Sequence, residues 1–594
     1  MPGIAGVISQ RPAPECARLL VGMLSSMQHE SYYVTGTCHA EEMGVYAGWV
    51  AHPNSFPTIH SGTDEATGIM LVFAGECFPG TTGSAAAPVW IVQRYMTSGE
   101  KFIESLNGLF SGLLIDRRKQ RAWLFNDRYG IERLYYHEAA DAIYFASEAK
   151  ALLRVLPQLR TFDEKGVAQF LAYGCTFDQQ TLFQGITLAP GGTRWTIDPG
   201  SAPRKTCYFT PAAWEAQSPL SLDQFAEEFT ALFRRILPQY VGTGEHLGIS
   251  LTGGLDSRMV MSALPATPGK PVCYTYSGQD HDVLDTRLAA RIAATCGLKH
   301  HTLRVGDEFL ANFPNHVDRT AYISDGCAGA LGAHEIYLNA AGRRLAPIRL
   351  TGNYGSEVMR AVSTFKPHRL TPRLMNPDWV TRVNHATANA PDHLIHPVTF
   401  STFREIPWSL FGNLSTGRSQ VTFRSPFLDN ELVALAYRTP LNQRTSPVPA
   451  LRLIQRGNPS LAAIPTDRGV IGESRGPAFQ ARRLFAEVTF KLDYMHKEGL
   501  PSALSPFAPL LNALDHTGLL GLHKFLAYRL WFQKKLAPHV TAVLTDPRTR
   551  SSPFWDAPFL EHMLNDHIKG RKNYVREIGQ VLTLDAIKRT LLHD

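Results

Sequence analysis

The sequence predicts two joined folds: an α+β front half, and an α/β back half built on a doubly wound parallel sheet with a helical C-terminal extension. Three observations carry this. Short apolar runs separated by turn residues fill the first two hundred positions, as strands and hairpins require. Beyond them, strand-length and helix-length apolar patterns alternate, which calls for parallel βαβ units. The last hundred residues keep mostly helical periodicity. The chain has 594 residues, 44% hydrophobic and 19% charged, an ordinary globular composition that excludes a mainly disordered protein.

In the front half, residues 69–74, 112–116, 121–125, 135–136 and 143–146 read as strands, with Asp127-Arg128-Tyr129-Gly130 as a turn. Pro190-Gly191-Gly192 and Asp198-Pro199-Gly200 break the composition, placing a domain boundary near 205: a front domain over 1–205 and a back domain over 206–594. The back domain then alternates: helix 222–237, strand 247–251, helix 255–264, strand 271–276, helix 283–296 and strand 301–305. A helical tail is expected from about 490, with helices over 510–544, 559–568 and 580–592.

Lys and Arg number 59 against 52 Asp and Glu, leaving +7. That is too dilute to indicate a nucleic-acid partner. The eight cysteines form no C-x-x-C pair, so reduced thiols of a cytoplasmic protein are expected rather than a zinc site or disulfide scaffold. The N-terminus lacks a signal-peptide pattern, and no uninterrupted apolar stretch of about 18 residues predicts a membrane span.

The most informative segment is Gly248-Ile249-Ser250-Leu251-Thr252-Gly253-Gly254-Leu255-Asp256-Ser257-Arg258. A strand ends in two glycines and an acidic-hydroxyl pair, and a helix starts at once. Glycines admit phosphate oxygens to the backbone, helix-start N–H groups donate to them, and Thr252 and Ser257 add hydroxyls. Asp256 fits beside phosphates as a Mg²⁺ ligand; its alternative is a helix cap. The G-x-x-x-x-G-K-[ST] loop is absent.

With this loop the chain resembles the asparagine synthetase family of class II glutamine amidotransferases, whose PP-loop reads S-G-G-x-D-S. Further matches are Asp127-Arg128-Tyr129-Gly130-Ile131 with Leu134-Tyr135-Tyr136, Phe145-Ala146-Ser147-Glu148-Ala149-Lys150, and Arg424-Ser425-Pro426-Phe427-Leu428-Asp429. The resemblance implies an αββα Ntn-type sandwich followed by a PP-loop ATP pyrophosphatase domain. It implies ATP over Leu251 and Tyr276, phosphates on Thr252, Gly253, Gly254, Leu255, Asp256 and Ser257, and Mg²⁺ on Asp256 and Glu357. Leu350-Thr351-Gly352-Asn353-Tyr354-Gly355-Ser356-Glu357 resembles the family's L-S-G-E-G-A-D-E loop. Either Asn353 aligns with its first Glu, or Tyr354 aligns with the Y-G-x-D tyrosine of β-lactam synthetases, which helps deprotonate an amine. For that role a carboxylate is expected within reach of the Tyr354 hydroxyl; the other reading is a packed loop aromatic. Asp285 aligns with a family acidic residue and reads equally as a helix cap.

The chain also departs from the family. The lysine of R-x-K-x-G-F is missing from Ile464-Pro465-Thr466-Asp467-Arg468-Gly469, leaving Arg468 as the candidate cation there. Pro2 stands where the glutaminase needs its nucleophilic Cys. The N-G-E asparagine is Ala74, removing an oxyanion-hole donor; Ala85 falls within the former S-D-x-E; and R-G-P-D is replaced by Glu30-Ser31-Tyr32-Tyr33. Cys16, Cys38 and Cys77 read as structural thiols. The expected function is an ATP-dependent amide-forming ligase without its own glutaminase, passing through an acyl-adenylate. Its substrate is a small-molecule or peptide carboxylate. The nitrogen comes from ammonia, from a separate glutaminase, or from an amine on the substrate, as in β-lactam synthetases or lasso-peptide macrolactam cyclases. An ammonia-dependent asparagine synthetase relative and a non-catalytic scaffold are the alternatives, and a homodimer is compatible with all of them.

Overall fold

The structure is a computed structural model that describes residues 2–53, 55, 63–64, 67–79, 87–242, 246–265, 269–279, 281–391, 395–469, 477–499 and 522–593. The front strands are β1 (Gly3–Ser9), β2 (Val34–Ala40), β3 (Val45–Ala51), β4 (Thr63–Asp64), β5 (Ile69–Cys77) and β6 (Gly108–Asp116). They continue as β7 (Arg121–Asn126), β8 (Tyr135–Glu138), β9 (Ala142–Ala146), β10 (Thr187–Leu188), β11 (Thr193–Ile197) and β12 (Arg204–Cys207). These form two antiparallel sheets, ordered β10-β8-β9-β1-β3-β2 and β12-β11-β7-β6-β5-β4. Strand alternation explains their stacking: Met70, Val72 and Ala74 of β5 face the first sheet, while Ile69, Leu71 and Phe73 pack with Trp90, Ile91 and Tyr95 of helix Ala87–Ser98. Helix Ala13–Met27 covers the outer face of the first sheet. The expected αββα layering is present. Because β12 pairs with β11, the second sheet runs past residue 205.

The back sheet is parallel: β13 (Leu247–Ser250), β14 (Val272–Gly278), β15 (His300–Val305), β16 (Ile348–Thr351) and β17 (Thr422–Arg424), ordered β15-β14-β13-β16-β17. The chain steps outward from β13 to β15, then returns to the other side of β13 with β16. The C-terminal ends of β13 and β16 therefore bound a topological switch point, where open α/β sheets bind ligands. Helix Leu222–Val241 exceeds its predicted end by four residues and begins with a capping box between Ser221 and Gln224.

The tail departs from expectation. Residues 510–521 of the predicted helix 510–544 lie outside the described residues, and the remainder is two helices, Tyr528–Gln533 and Ala537–Thr545. Pro538 sits in the first turn of the second helix, where its missing N–H is tolerated and continuation from the preceding helix is not. The helical region also begins earlier than 490, since helix Pro477–Tyr494 spans that position. Helices Ala557–Ile568 and Val575–Ile587 match the remaining expectations within a few residues.

The two halves share a core. Leu20, Tyr33 and Leu152 of the front cluster with Phe313, Tyr528 and Ile587 of the back. Buried polar groups cross the same boundary. Lys150 Nζ lies 2.6 Å from Glu148 and 3.0 Å from Asp325, and Asp325 also accepts the backbone N–H groups of Ala149 and Lys150. Glu76 of β5 grips Arg424 of β17 through two bonds of 2.8 and 2.6 Å, both side chains being largely buried. Removing one member of such a pair leaves a buried charge uncompensated. Glu76→Ala is expected to lower unfolding stability in urea by about 3–5 kcal/mol, whereas Glu76→Met combined with Arg424→Met should recover most of that loss.

Candidate functional site

At the switch point, β13 runs into Leu251 and Thr252, and the helix Leu255–Ser262 starts from Gly254 without a side-chain cap. The loop is tied within itself: Thr252 N donates to Ser257 Oγ at 3.2 Å, and the Thr252 and Ser257 hydroxyls meet at 3.0 Å. Arg258, buried, donates to Gly253 O at 2.9 Å and to the carbonyls of Leu461, Ile464 and Pro465. It fixes the loop's shape from below. Asp285, in the first turn of helix Leu284–Thr295, accepts the Gly253 N–H; burial pushes its carboxyl up to about 6. It braces the loop and does not cap its own helix.

The second loop, after β16, presses directly on the first. A Cβ at Gly352 would run into the Ser257 nitrogen and lie 2.7 Å from Asp256 C, while one at Gly355 would lie 2.7 Å from Asp256 Cγ. Only glycine allows this approach. Ser356 Oγ donates to Asp256 Oδ2 at 2.5 Å, and Arg360 Nη2 lies 3.4 Å from Asp256 Oδ1. Between them opens a cavity of about 460 Å³ lined by Leu251, Thr252, Asp256, Tyr276, Arg349 and Glu357 among others. Burial raises the Asp256 carboxyl despite Arg360 and Ser356. Burial, then the charges of Asp256 and Glu405, pushes Glu357 up to about 7. Two carboxylates thus line one cavity beside the glycine loop, with Arg349 in its wall and Arg360 on Asp256.

Comparison with known proteins bears on the same regions. Residues 84–209 match the glutamine amidotransferase domain family and residues 229–405 the asparagine synthase family. The chain is asparagine synthetase-like. Glutamine-hydrolyzing asparagine synthetase 1 of Bacillus subtilis is 22% identical over 232 residues, covering 38% of this chain and 36% of that protein. Glutamine-hydrolyzing asparagine synthetase 2 of the same organism is 26% identical over 184 residues, covering 29% and 24%. Amidase chyE of Penicillium rubens is 24% identical over 244 residues, covering 37% and 35%. The chain spans about a third or less of the length of these three relatives.

For an asparagine synthetase-like chain, several expected residues are together. Leu251, Thr252, Gly254, Asp256, Ser257, Tyr276, Gly352, Asn353, Tyr354 and Glu357 all line the cavity, with Gly253 and Leu255 in the same loop. Asn353 is engaged locally, accepting from Thr351 Oγ1 at 2.9 Å. Among the described residues no group of three or more His, Cys, Asp or Glu forms a metal cage. Asp256 and Glu357 line one cavity.

Two expectations need correction. Arg468 does not line the cavity: its guanidinium lies over the Phe490 ring at 3.5 Å and beside Asp467 at 3.6 Å. Among the described residues the arginine in the cavity wall is Arg349, while Arg360 stands behind it on Asp256 at 3.4 Å. Arg349 is buried, donates to Asn339 Oδ1 at 2.8 Å and has no carboxylate ion pair among the described residues. The signal for it was a lone charge inside the apolar strand Ile348–Thr351; Arg360 carried no sequence signal. Tyr354 is buried in an apolar cluster, and no carboxylate bonds its hydroxyl among the described residues. Burial first, then Glu357 and Asp127, raises its pKa further from neutrality. A phenol that ionises less readily offers less phenolate near neutral pH, although Tyr354 lines the cavity together with Glu357. The strain remains: Tyr354 sits at φ +72°, rare for an aromatic residue.

The positions aligned with the glutaminase motifs, and residues near them, have the following surroundings. Pro2 lines a small space of about 70 Å³ between the halves, together with Glu76, Arg418, Arg424 and Tyr354. Ala74 is buried between the sheets, and Ala85 lies outside the described residues. Glu30 pairs with Arg319, Tyr33 Oη donates to Ser419 O at 2.5 Å, and His52 Nε2 lies 3.1 Å from Arg418 O. Cys16 and Cys77 are buried and Cys38 is partly exposed, all three as free thiols.

The pKa of Glu357 gives a stability test. Its folded value lies above the ordinary 4.5, so the folded protein holds the extra proton between about 4.5 and 7 and loses stability as pH rises through that window. Glu357→Gln removes the penalty. Without added metal or nucleotide, it should raise stability at pH 8 by about 1–3 kcal/mol, a gain that vanishes below about pH 4.5. Denaturant unfolding across pH measures this, and an equal effect at every pH contradicts the assignment.

Proposed function

We propose that this chain is an ATP-dependent carbon–nitrogen ligase that activates a carboxylate as its acyl-adenylate. The observation that carries the reading is the T-G-G-L-D-S loop at the switch point, with Asp256 and Glu357 in one cavity against its amides. ATP lies over Leu251 and Tyr276, with its phosphates along residues 252–257. A carboxylate oxygen attacks the α-phosphorus, the bond to the bridging oxygen breaks, and pyrophosphate leaves. A nitrogen nucleophile then attacks the acyl carbon, the carbon–oxygen bond to AMP breaks, and the nitrogen gives up a proton. Mg²⁺, held by Asp256 and Glu357, supplies charge screening for the phosphates when bound. Arg360, now on Asp256, and Arg349, without a carboxylate, supply the positive charge that the family assigns to its missing lysine.

The nitrogen comes from outside the front domain. Pro2 offers neither thiol nor hydroxyl, and Glu30, Tyr33 and Glu76 are committed to contacts with the back half. Free ammonia, a separate glutaminase and a substrate amine all satisfy this. A cytoplasmic location fits the free cysteines, and no helix among the described residues is long and apolar enough to cross a membrane.

Two measurements test the reading. Asp256→Ala should keep its melting temperature and lose ATP–pyrophosphate exchange by more than about tenfold, at least ~1.4 kcal/mol of transition-state stabilisation. Retention of exchange above that level contradicts the metal assignment. The wild-type protein should release no glutamate from glutamine above background, and Pro2→Cys alone should not change this. Glutamate release that survives removal of contaminating enzymes contradicts it.

A further inference from the structure

The backbone N–H groups of Thr252, Gly253 and Gly254 are all bonded inside the protein. Thr252 N donates to Ser257 Oγ at 3.2 Å, Gly254 N to Thr252 Oγ1 at 3.4 Å, and Gly253 N to Asp285 Oδ1. These acceptors are chemically unequal. A hydroxyl can rotate and donate to a phosphate oxygen, so Thr252 and Ser257 suit the loop with or without an anion on it. An ionised carboxylate only accepts. Next to a phosphate on the same amide it is both a rival acceptor and a like charge.

The fold brings Asp285 to this place. It stands in the first turn of the helix Leu284–Thr295, which has no side-chain cap, and its carboxylate turns to the loop instead. Loop and helix touch directly: a Cβ at Gly253 would lie 3.1 Å from Asp285 Oδ1 and 2.8 Å from Leu288 Cδ1. Asp285 also lines the nucleotide cavity. Its attachment is slight. Among the described residues the Gly253 N–H is its one hydrogen-bond partner, and no cation pairs with it. Burial, opposed by that bond and reinforced by the charge of Asp467, pushes its carboxyl up to about 6. A carboxylate held by a single amide, without a counter-charge, is readily displaced by a phosphate that engages several donors at once.

We infer that Asp285 is a built-in competitor for the phosphate loop: its carboxylate holds the position on the Gly253 amide that a nucleotide phosphate takes, and binding exchanges one acceptor for the other. The inference rests on the nucleotide reading of this cavity and adds to it how the site's affinity is set. The Gly253–Asp285 bond breaks and a bond from Gly253 to a phosphate oxygen forms, so the amide is never left without an acceptor. Part of the nucleotide's binding energy goes into moving Asp285. The same exchange in reverse favours departure of pyrophosphate.

Asp285→Asn separates competition from simple bracing, because the amide oxygen still accepts from Gly253 N–H while the charge is gone. Titration calorimetry on the full chain compares MgATP, magnesium pyrophosphate and, as a ligand without phosphates, adenosine. Asp285→Asn should bind both phosphate ligands at least about fivefold tighter than wild type and leave adenosine within about twofold, at an unchanged melting temperature. Equal or weaker binding of the phosphate ligands overturns the inference, and so does an equal tightening of adenosine. A crystal structure of the wild-type chain with a non-hydrolysable ATP analogue and magnesium needs no variant. There Asp285 Oδ1 should lie beyond about 3.5 Å from Gly253 N, with a phosphate oxygen in its place; a Gly253–Asp285 bond that persists beside the bound phosphates overturns the inference. Wild type that binds no MgATP removes the nucleotide reading and the inference with it. MgATP binding that Asp285→Asn leaves unchanged removes the inference alone.

Discussion

The close approach of two glycines to the Asp256–Ser257 segment organises the back half of this molecule. Gly352 lets the loop after β16 lie against the backbone of Asp256 and Ser257, and Gly355 lets it lie against the Asp256 side chain. That contact fixes the distance between the strands' two C-terminal loops, brings Ser356 and Arg360 onto Asp256, and sets Glu357 beside it in the same cavity. The cost is visible in the raised carboxyls of Asp256 and Glu357 and in the left-handed backbone at Tyr354. Strain and unfavourable charge gathered at one switch point are what a site for an anionic ligand and its counter-ion would relieve.

The front half is held to the back half by buried polar contacts. Its sandwich has the αββα layering, and residues at or near the family motifs form the interface. Glu76 holds Arg424, Glu30 holds Arg319, Tyr33 bonds Ser419, and Lys150 bridges Glu148 to Asp325. Arg424 immediately follows Phe423 on β17, the strand next to β16, so the front half buttresses the sheet that carries the site. A domain committed in this way is retained for packing whether or not it turns over glutamine.

Much of this was legible from sequence because local rules and fold agree. The apolar run at 69–74, the alternating βα pattern after 220 and the glycine-rich loop each encode their own geometry, and all appear where expected within a few residues. What failed depended on tertiary placement. Arg468 lies next to Asp467 in a segment that Arg258 does bring beneath the phosphate loop, yet its side chain turns to the face of Phe490. Tyr354 has the sequence spacing of a base, and it both packs in an apolar cluster and lines the cavity with Glu357, without the hydrogen-bonded carboxylate expected for that role among the described residues. Arg360 reaches Asp256 only because the short helix Gly355–Arg360 ends over it, a relation with no one-dimensional trace.

The central claim is that the loops at 251–258 and 350–358 form one nucleotide site. Amide hydrogen exchange with and without ATP and magnesium tests it most directly, because it reads both loops in the intact chain. Slowed exchange in both segments together, at nucleotide concentrations that leave the front sheets unchanged, is the predicted result. Unchanged exchange in both, or protection confined to some other part of the molecule, would contradict it.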